Sequence, residues 1–121
     1  MANTFKVVNF AAEPNSAGTP FTMYTVASST TTVVLGLILA NIHTTAVTAE
    51  VELVSTTSNR AGNNNAANGT SFLVKDVSIP AGSSLELLSG GKVVLETGDV
   101  LRIDCSVADK LSGTLSVMEI T

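Results

Sequence analysis

Charged side chains are scarce in this sequence. Asp, Glu, Lys and Arg make up 13% of its 121 residues, whereas they make up about 25% of an average soluble domain. Hydrophobic residues reach 45%, and the mean hydropathy is +0.40. A chain of this length has a large surface for its volume. We therefore expect a surface rich in Ser, Thr and Asn, part of which is buried in an assembly.

The sequence also lacks the features of a nucleic-acid-binding or membrane-spanning protein. Its six Lys and Arg residues stand singly and the net charge is −4, although phosphate binding needs clustered basic residues. Its most apolar run, residues 33–40, has eight residues, whereas a membrane-spanning helix needs about 20. The N-terminus does not have the pattern of a signal peptide. We expect synthesis in the cytoplasm and no binding to nucleic acid or membrane.

Residue combinations that support catalysis are missing as well. Nucleophilic catalysis needs a nucleophile, a base and an orienting group. His43, the only histidine, lies in a predicted turn, and Cys105, the only cysteine, lies at an inward position of a predicted strand. A single cysteine allows no internal disulfide. We interpret His43 as a turn residue and Cys105 as a core residue, and we expect no enzymatic activity and no cofactor.

Metal and sugar sites have little support. Glu96, Asp99 and Asp104 could be drawn together as a calcium cluster, but Glu96 and Asp99 belong to a Gly-containing turn that needs such residues anyway. We therefore favour the turn and predict no metal site.

Sugar sites normally use aromatic platforms, and this chain has no Trp, one Tyr (Tyr24) and four Phe. These aromatic residues all lie in predicted strands, where packing in the core is the simpler use.

The order of residues predicts an all-β fold. Thr, Val and Ser dominate, Gly and Pro recur between short apolar runs, and no segment has helical periodicity. The segments AVTAEVELV and DVLRIDCSV alternate apolar with polar residues, which is typical of antiparallel strands with one buried face. We predict a single antiparallel β-sandwich, jelly-roll-like, with about eight to nine short strands. The predicted strands cover residues 5–11, 20–27, 31–42, 46–55, 71–77, 84–88, 92–96, 99–107 and 113–120.

One sandwich domain is predicted to span residues 1–121. It has an N-terminal arm at about residues 1–12 and a flexible, Asn-rich loop at residues 56–70. Phe5 and Phe10 in the arm are candidates for gripping a neighbouring protein. The alternative is that the arm is an ordinary first strand of the sandwich.

The apolar run at residues 33–40 differs from the other predicted strands because both of its faces are apolar. Strict alternation places two sets of residues on opposite faces: Val33, Leu35, Leu37 and Leu39, and then Val34, Gly36, Ile38 and Ala40. A two-layer sandwich buries only one face of a strand, so something must cover the other. We predict a subunit interface that includes Val34, Ile38 and Ala40. The alternative is a loop or the N-terminal arm folded over this face.

Four segments of the chain, MANTFK, TTTVVLGLILAN, VKDVSIPAGSSLELLSGGKVVLETGD and LSVMEIT, are the most characteristic parts of the sequence. Together they resemble small virion structural proteins of tailed bacteriophages, and those of marine phages and cyanophages most. The resemblance covers nearly the whole chain and is most specific in residues 80–99. That family has no catalytic motif, so the resemblance implies no active-site residue.

The resemblance implies a β-sandwich subunit that assembles onto a virus particle. Such proteins occur as capsid decoration or cement proteins, or in the tail, the baseplate or the fibre attachment. We expect a decoration protein that stabilises the head by bridging capsid subunits. Its partners would be the major capsid protein or other virion proteins, and its own assembly a homotrimer. The alternatives are a tail, baseplate or fibre-attachment protein and, from another class, a glycan-binding module.

Overall fold

A computed structural model describes residues 2–55, 69–88 and 91–121. In these residues it contains nine β-strands and no helix that is long and apolar enough to cross a membrane. The strands are β1 (Asn3–Glu13), β2 (Phe21–Thr25), β3 (Thr31–Asn41), β4 (Val47–Val54), β5 (Thr70–Ile79), β6 (Ser84–Leu87), β7 (Val93–Leu95), β8 (Val100–Cys105) and β9 (Leu111–Ile120).

Strands from the first half of the chain pair with strands from the second half, in the order that one long hairpin would give. β4 pairs with β5, β3 with both β6 and β7, β2 with β8, and β1 with β9, all antiparallel. This hairpin is folded into two sheets. Sheet I has the order β1-β9-β3-β6, with β7 pairing further along β3, and sheet II has the order β2-β8-β4-β5. Two facing sheets formed by one folded hairpin make a jelly roll. The predicted all-β, jelly-roll-like sandwich is therefore confirmed.

Each of the nine predicted strands is present, with ends that differ by a few residues. The structure also bears on the two segments that the sequence assigned to an arm and a loop. Residues 3–13 form β1 and pair with β9, so the arm is the ordinary first strand that the sequence left as an alternative. Thr70 already begins β5. The rest of the predicted Asn-rich loop, residues 56–68, lies outside the described residues.

Side chains from the inner faces of both sheets form the core between them. Strands β3, β4, β8 and β9 contribute most of it, because each lies in the interior of its sheet and alternates an inward apolar residue with an outward one. Cys105 is buried among them, as predicted for an inward residue. The largest fully buried side chains are Val34, Leu37, Leu39, Val47, Val51, Ile79, Leu95, Leu101, Ile103, Leu111, Leu115 and Val117.

A β-bulge in β3 changes which residues of the apolar run face outward. Val34 pairs with Val117 and Gly36 with Ser116, so Leu35 is an extra residue between two consecutive partners on β9. An extra residue reverses the alternation beyond the bulge. Leu37 and Leu39 therefore join Val34 in the core, whereas Val33 and Ile38 point outward.

The prediction that Val34 belongs to a subunit interface is consequently wrong. Its side chain is completely buried within the chain itself. Strict alternation had grouped it with Ile38, because the bulge between them leaves no distinctive residue pattern in an all-apolar run.

Polar side chains fix the turns between strands. Asp99 accepts a hydrogen bond from the Glu96 backbone N–H (2.9 Å) and another from the Ser55 hydroxyl (3.0 Å). Asn41 accepts one from the backbone N–H of His43 (2.8 Å) and donates its amide to the carbonyl of Ile79 (2.9 Å). The interpretation of Glu96, Asp99 and His43 as turn residues is confirmed.

Candidate assembly interface

An apolar row crosses the outer face of sheet I from edge to edge. Phe5 on β1 lies opposite Met118 on β9, Met118 lies opposite Val33 on β3, and Val33 lies opposite Val94 on β7. Directly opposite side chains on neighbouring strands are about 5 Å apart at Cβ. We call these four residues the apolar row.

The two ends of the apolar row are open to solvent in the single chain, and its two middle residues are half-buried. Phe5 is 71% exposed and Val94 is 57% exposed, and both stand on the outer strands of the sheet. Val7 (65%) and Ile38 (45%) extend the exposed apolar surface along the strands. Burial of apolar surface is worth about 25 cal/mol per Å². A contiguous exposed patch of this kind is typical of a surface that another molecule covers.

A groove lies beside the apolar row, at the bulge in β3. Its volume is about 340 Å³, and its walls include Leu35, Ile38, Thr114, Ser116 and one carboxylate, that of Glu86. Gly36 lies at the bulge, and a Cβ placed on it would meet no other atom within 4 Å. The groove exists because the bulge turns two successive residues outward and one of them has no side chain.

The outer face of sheet I carries almost no charge. At the outward-facing strand positions that the structure describes, Glu86 on β6 is the one ionisable residue. Most neighbouring polar positions carry hydroxyls, such as Thr114, Ser116 and Ser84. The low content of charged residues in the sequence is therefore most evident on this face.

A polar network tethers the end of the sandwich next to the apolar row. The Lys6 ammonium lies 2.7 Å from the Glu119 carboxylate. Tyr24, from sheet II, bonds through its hydroxyl to Glu119 and to the Thr32 hydroxyl. The hydrogen bonds from Lys6 and Tyr24 lower the pKa of Glu119. Burial raises the pKa of Tyr24, and the hydrogen bond to Glu119 raises it further by a smaller amount. The network ties β1 to β9 and both to sheet II, and so holds Phe5 in place.

The five predicted interface residues fall into three groups. Phe5 and Ile38 are exposed on the outer face of sheet I, and Ala40 is half-buried on the same face. Val34 is in the core, as described above. Phe10 also points inward: its ring packs edge-on against Phe21, with 5.2 Å between ring centroids.

The prediction that Phe10 grips a neighbouring protein is therefore wrong. A Cβ at position 113 would collide with the Phe10 ring, so the absence of a side chain at Gly113 makes room for this packing. Met118, Val33, Val94 and the groove at Gly36 were missed by the sequence-based prediction. Only the register between strands brings them together, although the alternation of Phe5 and Val7 was a weak signal for an apolar outer face.

A second, polar pocket of about 210 Å³ lies on sheet II, lined among others by Glu50, Asp76 and Asp104. Its carboxylates already have partners in the chain. Asp104 accepts the backbone N–H of Gly18 (3.1 Å), and Glu50 binds the Lys75 ammonium (3.0 Å). Within residues 2–55, 69–88 and 91–121 no three His, Cys, Asp or Glu side chains are grouped closely enough to hold a metal ion.

Comparisons with known proteins add little. A scan against models of protein families found no match, and a search of curated proteins found none either. One similar solved structure comes from work on Bacillus endospore appendages, described as a family of disulfide-linked pili. The likeness covers 99% of this chain and 87% of that one, with 16% sequence identity and a TM-score of 0.46. Similarity at this level carries no conclusion about what this chain does.

Proposed function

We propose that this chain is a non-enzymatic structural subunit of a tailed-bacteriophage virion and that it acts as a decoration protein on the capsid. The observation that carries the assembly role is the outer face of sheet I, with its apolar row and a single carboxylate. The resemblance of four sequence segments to phage structural proteins supports the virion as the place of assembly.

The physical mechanism is additive. Each copy buries a modest apolar patch against its neighbours in the shell, and many such patches raise the free energy needed to rupture or distort it. A protein that binds only the assembled state stabilises that state by mass action. The Ser, Thr and Asn residues elsewhere on the surface keep the subunit soluble before assembly, although few charges are present.

The test is the number of copies per particle in purified virions, measured by quantitative mass spectrometry against the major capsid protein. We expect a ratio near parity or a simple large fraction of it. A ratio of a few per cent would overturn the position on the head and move the protein to the tail or baseplate. Absence from the particle would overturn the virion role and leave a free-standing binding module, such as a glycan binder.

A matched pair of variants links the copy number to the proposed surface. Ile38→Asp places a charge on the exposed apolar face of sheet I and should strongly reduce the copies per particle. Phe72→Asp changes a similarly exposed side chain on sheet II (46%, against 45% for Ile38) and should leave the copy number unchanged. Equal effects of the two substitutions would contradict the assignment of the surface.

A further inference from the structure

We propose that the outer face of sheet I binds the same face of a second copy of this chain around a twofold axis, with Phe5 of each copy in the bulge groove of the other. The bulge groove is the groove at Gly36 described above. This inference rests on the proposed function, in which that face is an assembly surface, and it names a second copy as the partner. It replaces the homotrimer expected from the sequence with a twofold pair, because a threefold contact cannot join one face to itself.

The protrusion and the groove lie on one face, and this makes the contact reciprocal. Phe5 is the most exposed large hydrophobic side chain in the described residues, and the bulge groove opens on the same side of sheet I two strands away. A twofold axis that runs parallel to the sheet, midway between two points of its surface and perpendicular to the line joining them, places each point over the other point of the second copy. One axis therefore places both Phe5 rings over both grooves, as a self-complementary interface requires.

The face has about the area that such a pair needs. Four strand positions about 4.8 Å apart and about ten residues at 3.4 Å each give a flat area of roughly 650 Å². Protruding side chains such as Phe5 and Val94 enlarge the accessible area further. Small specific interfaces bury about 600 Å² on each partner and standard ones about 800 Å². Twisted sheets pack face to face about 10 Å apart, with their strands either about 30° from parallel or close to perpendicular.

Charge favours a second copy over a strongly charged partner. Pairing two identical faces brings like charges together, and this usually penalises self-association of a chain whose net charge is −4. The outer face of sheet I keeps that penalty small because Glu86 is its only ionisable residue in the described strands. Glu86 lies on the edge strand β6, where it lines the bulge groove. The face has no cluster of either sign for which an oppositely charged partner would be selected.

The chain offers little else to cover this face. Residues 56–68 and 89–90 contain no Val, Leu, Ile, Met or aromatic residue. β1, which the sequence suggested as a covering arm, is itself part of sheet I and pairs with β9 along its length. The exposed apolar side chains are therefore better matched by an identical apolar face than by a segment of the same chain.

The experiment measures the mass of the purified chain by sedimentation equilibrium over a concentration series that reaches on the order of 100 µM. We expect a reversible dimer. Phe5→Ala should raise its dissociation constant at least about tenfold, as for an anchor residue at the centre of an interface. Gly36→Leu should do the same by filling the bulge groove; Gly36 is not in the left-handed conformation and its Cβ position is open. Phe72→Ala, on sheet II, is the control and should change the constant less than about twofold.

The double variant Phe5→Ala/Gly36→Leu tests the direct contact. Because removal of the Phe5 ring leaves space for the new leucine, the combined effect should be smaller than the product of the single effects. Circular dichroism and the thermal midpoint check the fold of each variant. If Gly36→Leu fails to fold, Ser116→Leu fills the same groove from an exposed position on β9.

Several results would overturn the proposal. They are a monomer at the highest concentration, a dimer that neither single substitution weakens, strictly multiplicative effects in the double variant, and a trimer. A threefold assembly joins two different patches at each contact and cannot pair this face with itself. A monomeric chain that is abundant in virions would refute the twofold pair and leave the decoration role intact. A dimer that is absent from virions would refute the decoration role and leave the twofold pair intact.

Discussion

The outer faces of the two sheets are built from opposite kinds of residue. On sheet II, Arg102 binds Glu52 and Lys75 binds Glu50, both at 3.0 Å. The half-exposed ring of Phe72 has a partner there too, because the Lys75 ammonium lies 4.7 Å from its centroid. On sheet I, the apolar row has no such cover in the described chain. Sheet II pairs its outer charges within the chain, whereas sheet I has apolar surface that the described residues leave uncovered, and this is the surface that we propose another molecule buries.

The largest expected effect is the difference in stability between a substitution on the inner face of sheet I and one on its outer face. Val34→Asp places an unpaired carboxylate among fully buried side chains, which costs roughly 5 kcal/mol. That is comparable with the whole stability of a small domain, so we expect loss of the native fold. Ile38→Asp, four residues further along β3, should lower the free energy of unfolding by only about 1–2 kcal/mol, because the site is half-exposed although the new carboxylate lies opposite Glu86. Urea denaturation followed by circular dichroism measures both.

If both variants stayed folded, the register shift at Gly36 would be incorrect, because only that shift places Val34 and Ile38 on opposite faces. If both unfolded, the outer face of β3 would have to be covered within the chain. The first result would remove the bulge groove but leave an apolar outer face, whereas the second would remove the basis for an assembly surface on sheet I.

A smaller effect is expected from the ion pairs on sheet II. Glu52 is almost buried, with a side-chain exposure of 8%, and Arg102 is 34% exposed. Removal of one partner from a fully buried pair costs about 3–5 kcal/mol, so Arg102→Met should cost about 2 kcal/mol in this half-open setting. Lys75→Met breaks the more exposed pair with Glu50 and should cost less than about 1 kcal/mol. The midpoints of urea unfolding test this order, and equal losses would contradict the difference in burial.

The smallest expected effect is the pH dependence contributed by the polar network beside the apolar row. Lys6 and Tyr24 lower the pKa of Glu119 from its ordinary value of 4.5. The folded state therefore binds this proton less readily than the unfolded state, and the contribution to stability is present above pH 4.5 and is lost as the pH falls through the lower, folded-state pKa. Urea midpoints measured from pH 6 down to pH 3 should fall less for Glu119→Gln than for the native chain.

Lys6→Met should raise the pKa of Glu119, which NMR titration detects directly. An unchanged Glu119 pKa in Lys6→Met would show that the ion pair is not formed.

The sequence alone determined the all-β class, the positions of the nine strands found in the described residues, against about eight to nine expected, and the roles of the turn residues. Those features follow from local chemistry: β-branched residues in short alternating runs, and Gly, Pro, Asn and Asp between them. The same local reasoning indicated correctly that Cys105 points inward and that Glu96 and Asp99 belong to a turn. It also identified the stretch at residues 33–40 as unusual, because apolar residues on both faces of a strand are visible without any fold.

The tertiary structure decided which residues of that stretch face outward and what stands beside them. A one-residue bulge moved Val34 into the core and left Ile38 outside, and no local pattern in an apolar run records such a shift. The apolar row unites Phe5, Met118, Val33 and Val94, which are far apart in the sequence and meet only through the register of β1, β9, β3 and β7. Phe10, which resembles Phe5 in its sequence context, lies on the other face because it is an odd number of residues away and side chains alternate along a strand.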